Sequence, residues 1–337
     1  MGIFKTNKIM RRNRFYILLT GITLFMMKAN GQQTIQFSQY VFNGLAVNPA
    51  YAGYKEDWTV NLSSRTQWAG INGAPQTETA SVDGVTNNIK GNVGLGLIAT
   101  LDQLGPESTA SVYANYAYRL RLDELDTKRI CFGIGLGVSQ YSLNGAEFNA
   151  IDAGDGSVPT GTVSQVTPDF RFGIYYYSPG VYFGASVFNL LSKPLVNITD
   201  KTPILQEERT VYLTAGTLLP LSEYIHFKPS FMIKEDFKGP TNFDLTGNLV
   251  LNKAVWLGAS YQTGFNVWNK TNLQSGLDET DAISAIVQIY INDHFRIGYS
   301  YDFTLSKLAN YQSGSHELSL SISFPNKKQR VISPRYF

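Results

Sequence analysis

The chain has 337 residues, 43% of them hydrophobic and 13% aromatic, with 30 glycines and only 16% charged side chains. Its 28 basic residues outnumber 26 acidic ones, but six of the basic ones precede residue 32 and leave 22 against 26 in the remainder. That balance argues against a nucleic-acid partner, which needs a basic patch on the folded domain, and the single Cys131 excludes an internal disulfide.

Residues 1–31 read as a secretory signal peptide. Lys5, Lys8, Arg11, Arg12 and Arg14 form a positive head, Phe15 to Met26 an apolar run, and Ala29-Asn30-Gly31 a small-residue cleavage site. The run is shorter than the about 20 residues of a spanning helix. Gln32, not a cysteine, follows the cut, so no lipid anchor is indicated.

Residues 32–56 form the next segment, with QFSQYVFNGLAVNPAYAG at 36 to 53. It is neither a good strand nor a good helix. Asn48-Pro49 favours a turn and Gly53 permits a tight exit, while Phe37, Tyr40, Phe42 and Tyr51 make it more aromatic than disordered chain. Lying just before the first strand, it is expected to plug a lumen or to form a periplasmic segment. Asn48, Pro49, Tyr51 and Gly53 are its candidate plug or interaction residues.

From residue 57 the hydrophobic period becomes two. In ICFGIGLGV, Ile130, Phe132, Ile134, Leu136 and Val138 share one parity, while Cys131, Gly133, Gly135 and Gly137 share the other. HELSLSISF repeats the pattern with serines on the second face. Such runs predict fourteen strands, at 58–68, 76–83, 92–101, 109–122, 128–141, 168–177, 180–190, 209–219, 224–236, 242–251, 254–262, 281–291, 295–303 and 316–324. Lengths of about ten residues suit tilted membrane-crossing strands, and an even number returns both ends to one side. Connections after even strands are mostly tight, and several after odd strands are long, as in barrels with short periplasmic turns and long outer loops. The link at 83–91 breaks this rule.

Arg65, Arg119, Arg121, Arg171, Lys228, Lys234, Asp244, Arg296 and Asp302 all fall on the face opposite the apolar one. The expected fold is therefore all-β: a transmembrane antiparallel β-barrel of about fourteen strands over 57–324, with residues 325–337 as a periplasmic tail. Trp58 and Trp68 are candidate membrane-interface anchors, about 25 Å apart along the membrane normal for a strand tilted about 40°. Ser64 and Thr66 share their face and suit a partner protein better than lipid. Arg65, Gln67 and Trp68 are further interaction candidates. Inward glycines at 133, 135 and 137 make room for whatever fills the lumen.

Chemistry is sparsely encoded. His226, His294 and His316 have no metal-ligand or triad spacing, and Asp152 to Gly156 lacks the further ligands of a calcium loop. A serine or histidine on the outer rim, as in a lipase or palmitoyl-transferase barrel, would belong to a triad that is spatial rather than sequential. No catalytic residue, metal or cofactor is assigned.

The stretches QFSQYVFNGLAVNPAYAG, RTQWAGINGAPQTETAS (65–81), DQLGPES (102–108), YANYAYRL (113–120) and RVISPRYF (330–337) resemble the PorP/SprF family of type IX secretion system outer-membrane proteins. The chain departs from it at Gly44-Leu45-Ala46, where members commonly carry bulkier or proline-containing sequence. The resemblance implies a multi-pass protein in the lipid of a Bacteroidota-type outer membrane. It also implies a non-enzymatic role beside periplasmic secretion machinery, and a client such as a gliding adhesin with a C-terminal secretion domain. A passive porin or hydrophobic-solute transporter is the alternative for the same wall.

Overall fold

The computed structural model describes residues 36–86, 91–147, 161–191, 193, 195–196, 203–205, 207–265, 267, 270 and 280–324. Signal-peptide and C-terminal-tail expectations lie outside these residues, as does the loop at 152–156. Fourteen long strands form the wall. They are β1 (Trp58–Thr66), β2 (Gln76–Val85), β3 (Val93–Leu104), β4 (Glu107–Arg121), β5 (Arg129–Asn144), β6 (Thr162–Tyr177) and β7 (Val181–Phe188), then β8 (Thr210–Thr217), β9 (Ile225–Glu235), β10 (Thr241–Leu251), β11 (Val255–Phe265), β12 (Thr280–Tyr290), β13 (Phe295–Thr304) and β14 (Ser315–Phe324). Each pairs antiparallel with its chain neighbours, and β14 pairs with β1 from Phe324 opposite Trp58 to His316 opposite Thr66. The sheet is closed, so no long strand leaves its backbone groups unpaired in the bilayer.

All fourteen strands fall where the period predicts, with most boundaries shifted by only a few residues; the end of β1 and the start of β6 differ for a physical reason. β1 stops at Thr66, because Trp68 adopts a left-handed φ of +46° that a strand cannot continue. Trp68 thus belongs to the β1–β2 hairpin, and the in-strand spacing assumed between the two tryptophans does not apply. β6 begins at Thr162, earlier than the expected 168. Its added residues pair with the end of β5 and include Ser164, Gln165 and Thr167, so the contrast between faces that reveals a strand is absent. The long link after β2 has a tie: the Gly91 carbonyl accepts from Arg119 Nη1 and Arg129 Nη1, each at 3.0 Å.

Outward side chains form an apolar belt that includes Leu97, Val112, Leu136, Phe183, Leu245, Leu257, Ile297 and Leu318, all exposed. Water-soluble domains rarely expose contiguous apolar surface of this extent, whereas a bilayer covers it. The inward face is polar. Arg65, Arg119, Lys228, Lys234, Arg296 and Asp302 are buried there, and Arg171 lies 3.3 Å over the Tyr113 ring. Arg121 ends β4 and is exposed beside Asp126, at 3.4 Å.

Candidate functional site

A polar-lined lumen of this width would hold water, as larger barrels do. In this chain it holds residues 36–57, and positions 37 through 54 are all buried. The segment folds as three short 3-10 turns, Tyr40–Phe42, Gly44–Ala46 and Pro49–Tyr51. Asn48-Pro49 interrupts any longer helix, and the tight three-residue period directs side chains to all sides, as a segment enclosed by wall requires. Two voids along it measure about 20 Å³ and 10 Å³, close to the space of one water each.

Four contacts hold the segment. At its start the Ser38 hydroxyl donates to Asp302 Oδ2 at 2.7 Å and accepts from Arg65 Nη1 at 2.7 Å. Arg65 Nη2 meets Asp302 Oδ2 at 2.7 Å, and the Ser38 amide donates to Glu317 Oε2 at 2.8 Å. Gln39 extends this latch, donating to the Glu317 carbonyl at 2.9 Å and accepting from Ser319 at 2.8 Å. Arg65 thus balances two buried carboxylates directly, Asp302 at 2.7 Å and Glu317 at 3.4 Å, and also holds a serine that belongs to the lumen segment.

Next, Phe42 packs edge-on against Trp256 at 5.1 Å, with the Arg296 guanidinium 5.0 Å from its ring. Tyr40 donates to Ser230 at 3.1 Å, and burial pushes its hydroxyl pKa above the usual phenol range. The third contact is a glycine floor. Asn48 Oδ1 accepts from the Ala50 amide at 2.9 Å and caps the third turn, while its Nδ2 donates to the Ile174 carbonyl of β6 at 3.0 Å. Gly133 and Gly173 face each other in the β5–β6 register beneath this turn. A Cβ at Gly133 would collide with the Pro49–Ala50 backbone, and one at Gly173 with the Asn48 side chain. Gly137 has a different neighbour, the Tyr113 ring.

At the exit, Gly53 has φ +74° and donates to Asp83 Oδ2 at 2.9 Å. Glu56 pairs with Arg119 at 3.2 Å, and Arg119 also donates to Tyr177 at 3.0 Å. Tyr51 and Tyr54 meet Tyr175 at 5.5 and 5.7 Å, edge-on as aromatic quadrupoles prefer. Gly44 lies so close to the Tyr51 ring that a side chain there would overlap it. The departure at Gly44-Leu45-Ala46 is therefore matched by the packing of this segment.

Asn48, Pro49, Tyr51 and Gly53 thus meet the wall at β2, β3, β5 and β6, while Arg65 joins the separate latch. Gln67 and Trp68 enter neither. Gln67 donates its amide to the Pro75 carbonyl at 2.9 Å, and Trp68 donates its amide to Ser315 Oγ at 3.1 Å, which shapes the hairpin. Trp58 is exposed at the start of β1, its indole over Gly84. His294 bonds the Ser323 carbonyl at 3.1 Å, and His316 bonds the Tyr299 hydroxyl at 2.8 Å on the exposed outer face. Ser38, Gln39 and Glu317 were not singled out by sequence reasoning. An acid on the inward parity of β14 was the available signal for Glu317.

On the loop before β8, Glu207 lies 3.4 Å from the Tyr141 hydroxyl, and burial, opposed by Arg171, pushes its pKa from 4.5 up to about 7. The folded loop takes up a proton more readily than the open one, so protonation favours closure as pH falls through about 7. Amide exchange at 207–210, corrected for intrinsic base catalysis, should be faster at pH 8 than at pH 6. Glu207→Gln should abolish that difference.

The family described as "Type IX secretion system membrane protein PorP/SprF" matches residues 29–322. The chain belongs to this family. Among solved structures, the PorP/SprF chain is similar to the "CymD monoaromatic hydrocarbon channel", with TM-score 0.51, 12% identity, and coverage of 89% of this chain and 96% of that one. A FadL homologue of Pseudomonas aeruginosa gives TM-score 0.48 and 11% identity over 88% of this chain and 96% of that one. No curated protein sequence matches. The CymD likeness shows the fold alone. Family and fold together make this PorP/SprF protein a multi-pass outer-membrane barrel and a component of the type IX secretion system, associated with its machinery.

Proposed function

We propose that this barrel is a non-enzymatic membrane anchor, closed at rest, that docks the periplasmic secretion machinery and assists secretion or surface attachment of one client with a C-terminal secretion domain. The observation that carries this reading is the lumen occupied from residue 37 to 54 by the chain's own buried segment. A pore built for free passage has no use for such filling. The periplasmic turns provide one docking surface, and the long outer loops, together with Gln67 and Trp68 in the first hairpin, provide the other. Trp58, exposed at the start of β1, serves as an anchor at the membrane interface.

The alternative, a porin or hydrophobic-solute transporter, is favoured by the likeness to a structure titled as a hydrocarbon channel. Deletion of the gene in the producing organism separates the two. On the secretion reading, one exported surface protein disappears from the cell surface and accumulates inside, while uptake of small hydrophobic solutes is unchanged. Normal surface display with lost uptake would overturn it.

A further inference from the structure

The outer wall is not uniformly convex. Across β14 and β1 to β6 it carries a groove of about 960 Å³, with Ala80, Ala99 and Ala110 as its floor and Leu62, Val138 and Leu318 among its apolar borders. The floor is low because small residues adjoin on the outward face: Ala80 stands opposite Ala99, and Ala110, opposite Leu101, lies two register pairs further toward the outer ends of the strands. Ordinary barrel wall in lipid has no reason to place its smallest side chains together.

The same groove is polar along one row. Ser64 pairs with Glu78, Glu78 with Leu101, Leu101 with Ala110, and Ala110 with Gln140. Glu78 is exposed on the outward face, and among the described residues it makes no ion pair. Ser64 is six residues from Trp58 along β1, about 15 Å along the normal for strands rising about 3.3 Å per residue and tilted about 40°. That height lies inside an apolar band of about 25 Å. A carboxylate, an amide and a hydroxyl therefore face the hydrocarbon side of the wall, where partnerless polar groups are unfavourable.

The chemistry selects among occupants. Acyl chains fill a groove but bring no donor to Glu78, and anionic lipid headgroups are repelled by it. A second copy docked by two-fold symmetry would set hollow against hollow and carboxylate near carboxylate. We infer that the groove seats a membrane-embedded segment of a different protein, apolar and convex, that presents a lysine or arginine to Glu78. The small residues permit close approach, and the buried ion pair supplies orientation and selectivity. No lumen residue takes part, so the inference stands apart from the closed-lumen reading.

The test uses the full chain in native membranes of the producing organism, with a photo-crosslinking residue at Ala99 on the groove floor or at Leu249 on another part of the outer wall. The Ala99 probe should yield one discrete adduct with a membrane protein, absent from the Leu249 probe. The linked peptide should be apolar and hold a Lys or Arg. Glu78→Lys should cut the adduct at least tenfold, and changing the partner's basic residue to Glu should restore it. Heat-modifiable migration reports that each variant barrel is folded. If Glu78→Lys does not fold, Glu78→Gln and the groove-filling Ala80→Trp each serve in its place. Equal adducts from both walls, lipid adducts alone, adducts to a second copy of this chain, or adducts indifferent to Glu78 and Ala80 would overturn the inference.

Discussion

A planar bilayer holding the barrel without residues 36–57 carries ionic current, while the intact chain at equal density is nearly silent. This is the largest effect expected of the molecule. In the intact chain positions 37 through 54 are buried inside the wall, and two voids beside them measure about 20 Å³ and 10 Å³. With the segment gone, the wall presents Ser, Thr, Gln, Lys and Arg side chains to a water-filled space, as porins do. Silence of a folded deletion barrel would refute closure by this segment.

Single substitutions at the latch reach the same result without removing chain. Arg65→Ala leaves Asp302 and Glu317 buried on either side of Ser38 with no cation between them. Removing one partner of a buried ion pair costs about 3–5 kcal/mol. At about 1.4 kcal/mol per tenfold, that cost of about 3–5 kcal/mol raises the open population by roughly two to four decades, which single-channel records resolve as longer open time. Replacing the whole set, Arg65→Leu with Asp302→Asn and Glu317→Gln, removes the stranded charge and should recover most of the closure. Failure of the triple variant to recover would assign the effect of Arg65 to packing rather than charge.

The contrast between latch and floor shows what a sequence can disclose. Strand positions were legible because alternation is local: Arg129–Asn144 can be sorted into two faces without knowing what lies beside it. The inward glycines were legible as vacant space for the same reason, and two of them, Gly133 and Gly135, lie against Pro49 or Ala50. The latch depends on closure. Ser38 and Glu317 are 279 residues apart, and they meet only because β14 returns to β1 in a register that brings Arg65 opposite Glu317. Composition does not specify register, and Asp302 looks like any other lumen charge until β13 and β14 are paired. The end of β1 was hidden differently. Trp68 continues the parity of Trp58, Val60 and Leu62 in sequence while its backbone has already turned.

Gly133→Leu is the second large effect, and it acts at the glycine floor, away from the latch. A Cβ at this position would overlap the Ala50 amide and Cα and the Pro49 carbonyl carbon, which are backbone atoms that no rotamer change can move aside. Overpacking of a well-packed core costs about 1–3 kcal/mol. Here the wall is fixed by hydrogen bonds on both sides of β5, so the turn at Pro49–Tyr51 must lift away from β5 and β6. Lifting breaks the Asn48 hydrogen bond to Ile174 and separates Tyr51 from Tyr175, and the cost exceeds that of a local clash. In an Ala50→Cys background, where the thiol is buried beneath the turn, Gly133→Leu should accelerate labelling by a water-soluble maleimide at least tenfold. Ile134→Leu, one residue along and facing outward, should leave it unchanged. The Gly133 variant should also raise conductance less than the deletion does, because the latch at Ser38 still holds. Full conductance from Gly133→Leu alone would place the whole barrier at the floor, and the latch would then be only a tether.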